Sequence, residues 1–381
     1  MVAGIFHRRR RVSAQSCHPM GMFFGMHSFH DEPVRGVIGN FGLAALPGLE
    51  AVQAMVSGEA ALPPIHHLTG IRPTAAASGS VTWEMPVTEW MHDRYGVIWG
   101  GVYAFFSDAV VGTALMTGLP AGKLVTTSEL TLSYIHLATP DVGRLIGHGQ
   151  TIHLGNSLGL SEARITDDRG KLLAFASTRC VVIDVPSMGD MPIITPGDPI
   201  TDPPDPYLRP VPDGLNVWHE HARYGPAEVF EKQWKTRELD VGPVIRLTGH
   251  EATNMDDGSY TIEWPASPWF SAGMPAMYGG AISWALDTAV EGAIFSTLDP
   301  GEFNASIDLQ VRFFRPPMLD GRTLTVRGSV QHRGHRLRVA SAEMRDADDQ
   351  LVASATGSAM LIPDGVDHLI AGGAVHELTP S

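Results

Sequence analysis

Residues 99–117 read WGGVYAFFSDAVVGTALMT, and residues 278–297 read YGGAISWALDTAVEGAIFST. Each opens on a glycine pair, runs on through apolar and small residues, and carries an acid seven residues after the second glycine: Asp108 after Gly101, Asp287 after Gly280. Such a run, apolar on every side, predicts a buried helix of four or five turns. Both acids therefore fall where burial disfavours charge. The repeat returns after about 180 residues, far too long for a solenoid unit, so it marks a duplicated domain.

The flanking segments repeat as well. In the first half, Leu49–Gly58 has helical periodicity and stops at a glycine. Ser80–Met85 reads as a strand, and Pro86–Ile98 as an irregular lead into the first central helix. After that helix, Lys123–His136, Gly143–His153, Leu158–Thr166 and Lys171–Ile183 alternate as strands. In the second half, Ala227–Leu239 reads as a helix, and Arg246–Gly249 echoes His67–Gly70. Trp264 echoes Trp83, and Ser306–Arg312, Arg322–Val330, His335–Met344 and Leu351–Ile362 are strands. A sheet with one apolar face must cover that face, and a helix wrapped by the sheet does so most simply.

The chain of 381 residues is long enough for two domains. With 44% apolar and 18% charged residues it has globular composition, and no apolar run reaches the roughly 20 residues of a spanning helix. A formal charge of −14 argues against general nucleic-acid binding. Two cysteines, Cys17 and Cys180, provide no disulfide framework and suit a reducing cytoplasm. Four arginines at Arg8–Arg11 lack the apolar run of a secretory signal after them. The domain expectation is a partly disordered extension over 1–44, one domain over 45–185, a proline-rich linker over 186–220, a second domain over 221–365 and a tail over 366–381. Cys17, His18, His27 and His30 are loosely spaced like metal ligands, but no second cluster supports a zinc site, and no metal is expected. Gly155–Gly159 matches G-x-S-x-G; a nucleophile elbow needs a strand before and a helix after, and here a strand follows.

A glycine pair, an apolar helix with Asp seven residues on, a strand ending in an aromatic (Ser133-Tyr134, Arg312-Phe313) and a glycine-containing strand pair resemble the hotdog-fold acyl-CoA thioesterases, the PaaI-like and 4-hydroxybenzoyl-CoA thioesterase branch. The resemblance covers roughly Leu49–Val185 and Ala227–Pro363. It implies an α+β architecture: two hotdog domains, each an antiparallel sheet wrapped around a long helix, paired as an intramolecular pseudo-dimer. It also implies that Asp108 or Asp287 activates water or attacks the thioester, that N–H groups at Gly100-Gly101 and Gly279-Gly280 polarise the carbonyl, and that Thr127 and Ser306 place the acids. The family histidine is replaced by Trp99 and Tyr278, and the family asparagine by Asp93 and Ala272.

Gly100 and Asp108 lie eight residues apart, about 12 Å along one helix, so one thioester carbonyl cannot touch both. Two antiparallel helices can bring the start of one beside the acid of the other. Two composite sites follow. One joins Asp287 and Ser306 to Gly100, Gly101 and Asp93; the other joins Asp108 and Thr127 to Gly279, Gly280 and Ala272. The first is favoured, because Asp93 keeps a polar group. For coenzyme A, the arginine excess between Arg312 and Arg338 points to Arg333, Gly334, His335 and Arg336, with Gly155 and Asn156 at the equivalent turn of the first half. No cofactor is expected beyond coenzyme A as part of the substrate. The expected partner is a hydrophobic acyl-CoA, aromatic, medium-chain or polycyclic, with no nucleic acid and no membrane; a homo-oligomer of double hotdogs is the one protein assembly left open. The competing readings are an acyl-CoA binding protein without catalysis, and a hydratase, which needs a histidine beside an acid.

Overall fold

The computed structural model describes residues 28–93, 97–137, 142–185, 191–212 and 224–370. Helices α1 (Gly48–Ser57) and α2 (Pro64–Thr69) lead into strands β1 (Arg72–Ala77) and β2 (Ser80–Pro86), the first central helix α3 (Gly100–Met116), and strands β3 (Lys123–Tyr134), β4 (Arg144–Leu154), β5 (Leu158–Thr166) and β6 (Leu172–Asp184). The second half repeats this order. It has α4 (Pro226–Phe230), which continues into a π turn, α5 (Pro243–Thr248), β7 (Glu251–Asp256), β8 (Ser259–Pro265) and the second central helix α6 (Gly279–Phe295). Then come β9 (Phe303–Phe313), β10 (Thr323–Arg333), β11 (Leu337–Arg345), β12 (Leu351–Ile362) and α7 (Gly365–Ile370).

Each half is a hotdog: an antiparallel sheet around one buried helix. The strand before each helix is in fact a hairpin, β1–β2 and β7–β8; sequence reading found one arm of each. The two sheets are one. All twelve strands run in the order β1-β2-β4-β5-β6-β3-β9-β12-β11-β10-β8-β7. The join is β3 against β9, antiparallel, with Leu132 opposite Leu309 and Leu130 opposite Val311. These four apolar side chains are almost wholly buried, so the seam between the halves is itself core.

Residues 28–44 belong to the segment read as a loose extension, yet they pack. Phe29 is buried edge-on to Trp90 and lies under the Arg209 guanidinium, which forks onto Glu32. Arg35, also buried, pairs with Asp205 at 2.8 Å, and Asp205 meets His67. The described part of the proline-rich stretch thus straps the N-terminal segment to the first domain. At the other end, Val366 of α7 is buried on Phe303 and Ala305.

Burial holds His30 down at about 4 and His66 and His250 at about 3, so all three are neutral near pH 7. The unfolded chain titrates its histidines near 6.5, so between that pH and 3–4 it binds more protons than the native state, and stability falls with acid. Buried acids with raised pKa act in the opposite sense, so the effect is read as a difference. Relative to His250→Phe, the wild type is expected to lose about 1.4 kcal/mol per pH unit across that window. Denaturant unfolding at pH 4.5, 5.5 and 6.5 measures it, and parallel pH dependences of the two proteins would contradict it.

Candidate active site

The central helices start without help. Neither N-cap, Trp99 or Tyr278, makes a side-chain capping hydrogen bond. A helix start leaves N–H groups unpaired, with partial positive charge. Here each start is met by the acid of the other helix. The closeness requires glycine. A Cβ on Gly100 would sit 2.9 Å from Asp287 Oδ2, and one on Gly279 would sit 2.7 Å from Asp108 Oδ2. The helices are locked in that crossing by aromatic packing. Trp284 lies against Gly101, Phe105 meets Trp284 edge-on at 5.4 Å, and the Tyr278 hydroxyl donates to the Phe105 carbonyl at 2.8 Å.

The geometry therefore brings Asp287 and Ser306 to Gly100-Gly101, and Asp108 and Thr127 to Gly279-Gly280. The two sites are chemically unequal. At the Asp108 site Thr127 donates to Oδ1 at 2.9 Å and the Gly280 amide adds a bond. Burial still raises its pKa to about 6 against those two donors. Buried Cys180 lies behind Thr127, its thiol pushed up to about 12 by burial.

At the Asp287 site the partner of the acid is Tyr134, which sequence reading noted only as an aromatic strand end. Its hydroxyl donates to Oδ1 at 2.9 Å. Asp287 Oδ2 has no hydrogen-bond partner of ordinary geometry. Burial raises the acid well above the usual carboxylate range, against the pull of Tyr134 and the Gly101 amide. Ser306 does not place Asp287 as expected. Its Oγ lies 3.4 Å from the Gly100 Cβ position but donates to Glu291 Oε1 at 2.8 Å, and Asn304 donates to the other oxygen. Glu291, one turn beyond Asp287, is pushed up by burial and by the Asp287 charge. Asp93 accepts the Val97 N–H, and its charge bears on Glu291, not on Asp287 as expected.

Shifting by 179 residues, the offset from Asp108 to Asp287, lays one site on the other. Tyr134 becomes Phe313, Glu291 becomes Gly112 and Asn304 becomes Val125. The sequence signal was present: Glu291 is the single ionisable side chain after Asp287 in an otherwise apolar helix.

The residues read as a coenzyme A site lie beyond the far end of α6 from the Gly279 turn. Arg338 reaches Thr297, just past the end of α6, which puts the β10–β11 turn at Gly334 about 15 Å along the helix from Asp287. Much of the arginine excess is neutralised in space. Arg312 pairs with Glu129, Arg322 with Asp320 and Asp348, and Arg333 with Asp257. Gly155 and Asn156 form the β4–β5 turn, strand on both sides, which fits no nucleophile elbow. Of the loosely metal-like set, Cys17, His18 and His27 lie outside the described residues; His30 Nε2 is 3.0 Å from the Leu247 carbonyl. No helix among the described residues is long and apolar enough to cross a membrane.

A family model described as thioesterase superfamily matches twice, over residues 95–174 and 274–353, each match holding one central helix. The chain is a double-hotdog thioesterase. A 1,4-dihydroxy-2-naphthoyl-CoA hydrolase of Listeria monocytogenes is 26% identical over 113 residues, 30% of this chain and 89% of that protein. Among solved structures, a tesB protein of Mycobacterium avium subsp. paratuberculosis is 12% identical with a TM-score of 0.49, covering 83% of this chain and all of that one. An acyl-CoA thioesterase II of Mycobacterium marinum is also 12% identical, with a TM-score of 0.46, covering 78% of this thioesterase and 97% of that chain.

Proposed function

We propose that this thioesterase hydrolyses the coenzyme A thioester of a hydrophobic acyl group, aromatic, medium-chain or polycyclic, at the site where Asp287 faces Gly100-Gly101. The observation that carries the assignment is Asp287 Oδ2, a buried carboxylate oxygen without a hydrogen-bond partner of ordinary geometry, beside a helix start whose N-cap side chain makes no capping bond. Such an oxygen costs about 1–3 kcal/mol to leave unpaired, and it is the atom free to accept a proton from water. As the water oxygen attacks the thioester carbon, its proton passes to Asp287 and the carbonyl electron pair moves onto oxygen. The helix-start amide of Gly100 stabilises that oxyanion. The adduct then collapses. The C–S bond breaks with its electrons on sulfur, and the thiolate takes the proton from Asp287.

The hydrophobic acyl preference rests on the apolar walls of α3 and α6, and the similarity to a naphthoyl-CoA hydrolase supports the aromatic option. Turnover is expected for aromatic and medium-chain acyl-CoAs with little for acetyl-CoA, read as free thiol released. Absence of thiol release across such a panel would sink the proposal.

A second reading is a protein that binds acyl-CoA without cleaving it. Trp99, Tyr278, Asp93 and Ala272 favour it, because they stand where the resembled family has histidine and asparagine. Calorimetric binding without thiol release would select it.

A further inference from the structure

Three features set the Asp287 site apart from its copy, and Glu291 connects them. It stands one helical turn from Asp287, a spacing that brings Cβ atoms to about 5–6 Å. Ser306 and Asn304 donate to its two oxygens from β9, so it is held by both ends rather than left to solvent. Ser306 Oγ and both Asp287 oxygens also converge on the same face of Gly100, within 2.9–3.4 Å of the position a Cβ would take. At the equivalent place on α3 the residue is Gly112, where a Cβ would meet nothing within 4 Å. A carboxylate is therefore not needed to build this helix. Its donors are specific too, since Val125 replaces Asn304 in the other half.

We propose that Glu291 is a positioning residue for hydrolysis, a second carboxylate held by Ser306 and Asn304 so that its charge sets the proton affinity of Asp287. This rests on the reading that Asp287 is the base. A like charge one turn from the buried Asp287 disfavours ionisation of the pair and brings a carboxylate towards neutral pH, where a general base works best. The pair titrates as a unit. The other groups facing it are Asp93 from the loop before α3 and the phenol of Tyr134 at the end of β3, whose own proton is held more tightly by both acids. Tyr103 of α3 lies beside Tyr134.

The test is the pH profile of kcat/KM for acyl-CoA hydrolysis by the full chain. Glu291→Gln keeps shape and removes charge, and is expected to move the acid limb down by about one pH unit or more. Glu291→Asp, which keeps the charge, is expected to return the limb towards wild type. Glu291→Gly, the residue that α3 carries at this place, should move it the same way as Gln and guards against a misfolded glutamine variant. A purely structural Glu291 would lower kcat at every pH and leave the limb in place, and that result, with Asp287→Asn inactive, overturns the proposal. Wild-type activity in Asp287→Asn overturns it differently, by removing the base on which it rests.

Discussion

Asp287→Asn is expected to lower kcat/KM for acyl-CoA hydrolysis by about 10³-fold, the middle of the range for a positioned general base. Asp108→Asn is expected to stay within about tenfold of wild type, since Phe313 and Gly112 stand at its site where Tyr134 and Glu291 flank Asp287. The pair of variants matters because each Asp has a structural role as well. Each serves as the capping group for the other helix, a contact of about 1 kcal/mol. Asparagine keeps an oxygen that accepts from an amide, so both variants should fold, with thermal midpoints within a few degrees of wild type. Loss of activity is then chemistry and not unfolding. Equal losses in the two variants would make both sites active, and a larger loss in Asp108→Asn would move the chemistry to the other site.

Gly328→Ala is expected to lower stability by about 3 kcal/mol or more, the upper end of the overpacking range. In a domain of this size that is a fall in midpoint of roughly 6–12 °C. Gly328 lies on β10 directly beneath α6, and a Cβ there would fall 1.9 Å from the Ala289 carbonyl oxygen. The obstacle is backbone, so no rotamer change relieves it; the helix must lift from the sheet. Ala289 is two residues beyond Asp287, so lifting α6 also carries the acid away from Gly100, and activity should fall with stability. The counterpart, Gly149 under the Val110 carbonyl, leaves 2.7 Å, and Gly149→Ala is expected to cost less. Calorimetric midpoints for the two variants check both the size and the order. A midpoint for Gly328→Ala within a degree of wild type would mean that the helix and sheet pack less rigidly than they stand here.

Much of the fold was legible along the chain. A helix apolar on every side has one place to go, and strands of alternating pattern with one apolar face must cover it. The repeated glycine pair and acid placed the helix starts at Gly100 and Gly279, and the rise per residue alone required two helices to complete a site. The hairpin arm Arg72–Ala77 escaped notice because RPTAAA has one β-branched residue, Thr74, a proline and no alternation. Residues 28–44 looked loose because their anchors, Asp205 and Arg209, lie more than 160 positions away.

What the sequence by itself determined is the duplication, the buried helices and the pairing of each acid with the opposite glycine turn, because helical rise and burial are local properties that any copy of this pattern must obey. What only the tertiary structure decided is which atoms meet. The fusion of two sheets through Leu132 and Leu309, Tyr134 on Asp287, Ser306 turned to Glu291 and the arginines paired with distant acids all depend on register and on contacts between segments far apart in sequence. Spacing within one helix predicts where a carboxylate stands; the other half of the chain decides whether its oxygens are satisfied. So Asp287, with Tyr134 on one oxygen and Glu291 a turn away, parts from Asp108, whose site has Phe313 and Gly112 at the equivalent positions.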